Sequence, residues 1–341
     1  MEPVLIIAIL IVAIALFFDF TNGFNDSANQ VATVIFSRAL NPVPALLIAA
    51  ISNFAGAYFL GTAVAKTIGA GIVDPRILSD GGSGIIVIFS ALIGATLWNL
   101  STWYFGIPSS SSHALIGGLI GAFLFGWGPD PINWQKVWQI VVVMIASPIV
   151  GFIITYIFTQ LTLVFSQWST PKINKIFKNL QILSLITQSL SHGTNDAQKT
   201  MGVIVLALII LGLYVPSAES LIIPTWVIAS CAGAMALGTM IGGRRIIKKL
   251  GSGLYKVRPI HGFASQTASS LIIYLTALFG FPISTTQVIS SSVMGAGAAF
   301  RPKMIRWQVA KDMVFVWFIT IPISGLTAGL TYLILDGIFG V

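Results

Sequence analysis

The sequence predicts an all-α polytopic membrane protein of two inverted-topology repeats, with broken or re-entrant helices and about 10–12 membrane segments. Three observations predict it: very little charge, apolar segments of membrane-crossing length, and ordered self-similarity between the halves. Charged residues make up 8% of the 341 and hydrophobic residues 56%, with a mean hydropathy of +0.92. A soluble domain carries about 25% charged residues, so the outer surface of this chain must itself be apolar. A bilayer is the solvent that permits this. The lone cysteine, Cys231, excludes a disulfide framework and a cysteine metal cluster.

Apolar segments run at 4–37, 43–65, 84–105, 107–126, 136–165, 181–214, 223–243, 262–281, 283–300 and 307–335. Most approach the ~20 residues that cross ~30 Å of hydrocarbon. Val4–Phe18 has no basic flank and runs on into further apolar sequence, so it reads as a membrane helix and not as a cleaved leader. The segments 4–37 and 181–214 would each extend ~51 Å as one helix. Each has a polar interruption in its middle, which predicts a broken helix or re-entrant hairpin there.

Charge sides the loops. Arg38, Lys172–Lys178, Arg244–Arg258 and Arg301–Arg306 are basic and therefore cytoplasmic. The six bases of Arg244–Arg258, without an acid, read as a topology signal beside a membrane span and not as a nucleic-acid site. Acid-bearing loops fall at Asp74–Asp80, Asp130 and Glu219. Alternation through the ten segments satisfies every loop and puts both termini outside.

The halves resemble each other in order. Gly23-Phe24-Asn25-Asp26-Ser27-Ala28 recurs as Gly193-Thr194-Asn195-Asp196-Ala197-Gln198, an offset of 170. The Gly56 to Gly61-Thr62 stretch matches Gly233 to Gly238-Thr239 at 177, and Pro108–His113 matches Pro282–Gln287 at 174. The loop after Thr62 is neutral and its partner after Thr239 is strongly basic, so equivalent loops lie on opposite faces. The first repeat is assigned to 1–165, a basic cytoplasmic connector to 166–180 and the inverted second repeat to 181–341. Such architecture belongs to secondary transporters, with substrate near the midplane.

Asp26 and Asp196 interrupt the two overlong segments at equivalent points. A charge at the bilayer centre costs at least ~2.5–3.5 kcal/mol, which marks both as functional candidates; the plainer reading is that they cap the broken helices. Ser110, Ser111 and Ser112, and Ser284, Thr285 and Thr286, each follow a proline at the start of a segment. A helix start with free backbone N–H groups and hydroxyls around it is an anion site; the plainer reading is small residues at helix contacts. Lys199 beside Asp196 is a candidate charge partner or a snorkelling lysine. Ser112-His113 and Ser191-His192 lack an oxyanion-hole context, and the three histidines lack metal-ligand spacing, so no enzyme is expected.

Asn22–Asn29, Ser191–Lys199 and Pro282–Gln287 resemble the signature segments of the inorganic phosphate transporter (PiT) family, as does Gly242-Gly243-Arg244-Arg245. The resemblance implies symport of inorganic phosphate with Na⁺ or H⁺ on an inverted-repeat fold. Many members have a threonine before the first-motif histidine, where Ser112 stands here. Some carry membrane glutamates where Asn53 and Gln266 align, which leaves the cation open, and a few relatives carry sulfate.

The expected site holds phosphate on Asn25, Asn195, Ser110, Ser111, Ser112, Ser284, Thr285 and Thr286. Sodium is expected on Asp26, Asp196, Asn22, Asn25 and Asn195. Dianionic phosphate with both aspartates sums to −4, or −3 with Lys199, so the anion needs added cations in low dielectric. Oxygen ligands favour sodium as coupling ion, with no further cofactor; a proton would neutralise equally. A sulfate symporter is the runner-up, and an anion channel the reading from another class. Expected partners are phosphate, sodium, membrane lipid and a second copy of the chain, without nucleic acid. The expected location is the cell membrane.

Overall fold

The computed structural model describes residues 2–73, 82–215, 221–243, 246–248 and 255–339. The loops Asp74–Asp80 and Glu219, and much of Arg244–Arg258 including Arg244 and Arg245, lie outside the described residues. Regular structure among those described is helical, α but for a 3-10 turn at Pro302–Met304. The helices are α1 Glu2–Phe36, α2 Pro42–Phe59, α3 Ala63–Gly71, α4 Gly82–Tyr104, α5 Ser111–Trp127, α6 Trp134–Ser166, α7 Ile173–Ile210, α8 Thr225–Ile241, α9 Pro259–Leu278, α10 Thr285–Phe300 and α11 Trp307–Phe339. Five of these, α1, α2, α4, α6 and α11, are long and apolar enough to cross a membrane by length and composition. Their outer faces carry exposed Ile51, Ile149, Phe165 and Phe318, as a lipid-facing surface requires.

The expected interruptions at the two Asn-Asp motifs are absent. α1 and α7 are continuous helices of 35 and 38 residues. At the motifs themselves Asn25 and Asn195 donate to the carbonyls of Asn99 and Phe281, and Asp26 and Asp196 accept from Thr286 and Thr285, so these four side chains leave the backbone ladder of their own helix intact. At ~52 and ~57 Å both exceed the hydrocarbon core and must tilt or project beyond it. Capping of a broken helix is thereby removed as the role of Asp26 and Asp196. α7 also begins at Ile173, inside the expected connector. The segment 43–65 is divided: α2 stops at Phe59, the chain turns through Gly61 at φ +102°, and α3 starts at Ala63.

Contacts fix the direction of each helix. Ser37 on the α1 side hydrogen-bonds Gln181 of α7, while Asp26 faces His192, so α1 and α7 run antiparallel. α7 runs parallel to α2 and the segment after it, with Gly193 against Asn53, Thr194 bonded to Gly56 and Gly202 against Ala65. α1 likewise runs parallel to α8, with Phe20 against Gly238 and Ser27 bonded to Gly243. The first two helices of one half are thus inverted in the other. These contacts also correct the repeat register. A Cβ on Gly56 would fall 2.0 Å from the Leu190 carbonyl oxygen, and one on Gly238 would fall 2.1 Å from that of Phe20. Leu190 and Phe20 are equivalent at the 170 offset, so Gly56 pairs with Gly238, 182 residues apart, whereas nothing approaches Gly233. Five residues of similar small-residue sequence had shifted the match.

The re-entrant elements lie at the hydroxyl motifs. α4 and α5 form one hairpin and α9 and α10 the other. α5 packs parallel on α11, from Gly117 beside Ile321 to Gly126 beside Tyr332. α10 packs parallel on α6, with Gly151 beside Val288 and Gln160 bonded to Ala299. The six-residue turn between α5 and α6 makes those two antiparallel, so α5 opposes α10. The hairpins therefore enter from opposite ends. Their tips, Ser110 and Ile283, are 1% and 0% exposed and meet in the interior.

Candidate anion and cation site

Each hairpin tip is built by its own local sequence. Ser110 and Ser284 are the N-caps of α5 and α10, accepting from the backbone N–H of His113 at 3.1 Å and Gln287 at 3.3 Å. Ser110 Oγ also pairs with His113 Nδ1 at 2.7 Å. These two hydroxyls are thus engaged in holding the helix starts. The next two residues of each helix reach across to other elements. Ser111 donates to Asn22 Oδ1 at 2.6 Å, and Ser112 donates to the Ile283 carbonyl at 2.8 Å. Thr285 donates to Asp196 Oδ2 at 2.7 Å, and Thr286 to Asp26 Oδ1 at 2.8 Å.

Where α1 and α7 cross, the two carboxylates come together. His192 Nε2 lies 3.5 Å from Asp26 Oδ2 and 3.2 Å from Asp196 Oδ2. Asp26 Oδ1 also accepts from Asn29 Nδ2 at 2.8 Å. Lys199 donates to Asp196, to Ser112 and, at 2.8 Å, to the Ile283 carbonyl, which uses all three of its N–H groups. Asn25 and Asn195 donate to the carbonyls of Asn99 and Phe281, each at 3.1 Å. Their own Oδ1 atoms and Asp26 Oδ2 carry no hydrogen bond. Every one of these side chains is buried. The arrangement offers two helix starts of positive polarity, hydroxyls that donate or accept, and in Asp26 a carboxylate with an acceptor oxygen to spare. A tetrahedral oxyanion and a hard cation are the ligands it fits. A cavity of about 480 Å³ between α6, α10 and α11 reaches the tips only through His113 and Gln287, and its walls are otherwise mostly apolar.

Residues 22–328 match the sequence model described as the phosphate transporter family. The chain belongs to that family. It is a phosphate transporter and not an enzyme. A Bacillus subtilis (strain 168) relative described as a probable low-affinity inorganic phosphate transporter is 45% identical, over 99% of this chain and all of that one. One from Rhizobium meliloti (strain 1021), described alike, is 41% identical over 96% of each chain. A solved structure described as the sodium-dependent phosphate transporter superposes with a TM-score of 0.85 at 25% identity, covering 97% of this chain and 99% of that one.

The residues expected to hold phosphate and sodium lie together at the hairpin tips and the α1–α7 crossing. Three others went unseen in the sequence. His192, which in the sequence is only half of a serine-histidine pair without an oxyanion hole, stands between the carboxylates, at the position equivalent to Asn22. Asn29 braces Asp26 and is the counterpart of Lys199 at the 170 offset. Its place three residues after Asp26, on the same helix face, was a readable signal. Asp19 is a third buried carboxylate on α1. The rule that marks intramembrane acids as functional applied to it equally.

Proposed function

We propose that this transporter imports inorganic phosphate by symport with sodium across the cell membrane, with both termini outside. The observation that carries the reading is the convergence of Asp26 and Asp196 on one buried point, beside the opposed starts of α5 and α10. Phosphate is held by the free N–H groups of those starts, by Ser111, Ser112, Thr285 and Thr286, and by Asn25 and Asn195. Lys199 supplies a single positive charge, and it is already engaged by Asp196. A dianion cannot join the remaining carboxylate, Asp26, without cations. Asp26 Oδ2 and the Asn25 and Asn195 Oδ1 atoms are the unpartnered oxygens that would take them. The sodium dependence of the solved structure of like fold supports sodium as that ion.

A second reading, proton coupling, is favoured by His192, whose Nε2 bridges the two carboxylates where a transferable proton could sit. Labelled phosphate uptake into proteoliposomes, with Na⁺, K⁺ and pH gradients imposed in turn, separates the two. Acceleration by an inward Na⁺ gradient at constant pH is expected. Uptake driven by a pH gradient in the absence of sodium would replace this reading with the second.

A further inference from the structure

We infer that Asp19 and Thr200 form a second sodium site, one step from the central site toward the N-terminal end of α1. The inference rests on the sodium-coupled reading above. Asp19 precedes Asp26 by seven residues on α1, which is two helical turns, and so shares its face about 10 Å away. Thr200 follows Asp196 by four on α7 and shares that face. Because α1 and α7 run antiparallel, both steps lead the same way from the crossing, and the Thr200 side chain comes to rest beside the Asp19 carboxylate.

The carboxylate is fully buried, and neither of its oxygens receives a well-aligned hydrogen bond from a described residue. Thr200 Oγ1, equally buried, is likewise without an aligned partner. Lys199 acts on Asp19 through space but has no N–H left to give it, since all three go to Asp196, Ser112 and the Ile283 carbonyl. An ionised carboxylate at this depth requires a counter-charge. Two carboxylate oxygens and a hydroxyl are hard ligands suited to an alkali or alkaline-earth cation. Lys199 is already balanced by Asp196, so the single negative charge of Asp19 is balanced by a monovalent ion, whereas a divalent ion would leave an excess positive charge.

The pseudo-symmetry sharpens the point. At the 170 offset the counterparts of Asp19 and Thr200 are Ser189 and Gln30, both buried and both uncharged. The fold repeats there and the charge does not. The second ion therefore belongs to the end of the crossing nearer the α1 N-terminus, and its pseudo-symmetric counterpart has no charge to hold one.

The test is equilibrium binding of ²²Na⁺ to the purified full-length transporter without phosphate, alongside sodium titration of phosphate uptake in proteoliposomes. Asp19→Asn should bind one sodium fewer per chain than wild type, and its uptake should rise less steeply with sodium. Asp19→Glu should restore the lost ion. Thr200→Val changes no charge and should lower sodium affinity several-fold, which keeps the test open if Asp19→Asn fails to fold. Unchanged sodium binding in Asp19→Asn, or in Thr200→Val where the former is not recovered, overturns the inference. A wild-type protein whose uptake ignores sodium would instead overturn the coupling reading, while the count of bound ²²Na⁺ still decides the site.

Discussion

Asp26 and Asp196 occupy equivalent positions and hold unequal company. Asp196 faces the ammonium of Lys199, and Asp26 faces the amide of Asn29 at the matching position. The two should respond differently to neutralisation. Asp26→Asn removes a carboxylate with no bonded counter-charge, so it should abolish sodium-dependent uptake while leaving thermal stability near wild type. Asp196→Asn strips Lys199 of its counter-charge, and breaking a buried pair from one side costs ~3–5 kcal/mol. That variant should lose both uptake and melting temperature. Equal stability of the two would refute the asymmetry. Selectivity is argued from the same atoms. Phosphate near pH 7 keeps one O–H, and whichever of Asn25 Oδ1, Asn195 Oδ1 and Asp26 Oδ2 the cations leave open can accept it. Sulfate has no proton to give, and an unsatisfied buried acceptor costs ~1–3 kcal/mol, or roughly 5- to 150-fold in affinity. Excess arsenate should therefore inhibit labelled phosphate uptake and equal sulfate should barely do so. Matched inhibition by the two would remove the proton-acceptor role.

At the scale of helices, closeness of backbone sets the geometry. α2 presses on α7 and α8 on α1 through glycines with no room for a methyl group: Gly56 against Leu190, Gly238 against Phe20. Backbone carbonyls cannot swing aside, so Gly56→Ala and Gly238→Ala should each force the helices apart, at ~1–3 kcal/mol by the usual cost of overpacking. Gly233→Ala enters open space and should be neutral or slightly stabilising, since alanine favours helix. Thermal unfolding of the three purified variants checks this. A destabilised Gly233→Ala beside a silent Gly238→Ala would restore the 177 register read from sequence.

For the whole molecule, the two hairpins enter from opposite ends, and the loops at their bases must lie on opposite faces. Asp130 follows α5 and Arg301 follows α10, and both are exposed. Cysteines placed at Asp130 and Val215 should react with an impermeant reagent from outside the cell, and those at Trp168 and Arg301 only from within. The native Cys231 is buried and adds little background. Labelling of Asp130 and Arg301 positions from one face would end the inverted arrangement.

The sequence by itself determined the membrane class, the helical fold, the pairing of the halves and nearly all the side chains that gather at the proposed site. Those properties are written in composition and in local motifs: low charge, ~20-residue apolar periods, a duplicated Asn-Asp and a duplicated proline-hydroxyl start. Tertiary structure decided where the chain turns back and what each polar group touches. Asn-Asp reads as a break only if its side chains bond their own backbone, and here Thr285, Thr286, Asn29 and Lys199 engage the two carboxylates instead, so α1 and α7 run through. The 182 register of Gly56 and Gly238 depends on which glycine meets a neighbouring carbonyl, a contact that small-residue sequence leaves ambiguous. The roles of His192 and Asp19 depend on an antiparallel crossing of α1 with α7, helices separated in sequence by everything between Phe36 and Ile173. No spacing along one chain encodes that meeting; burial of polar groups that must find partners across the crossing does.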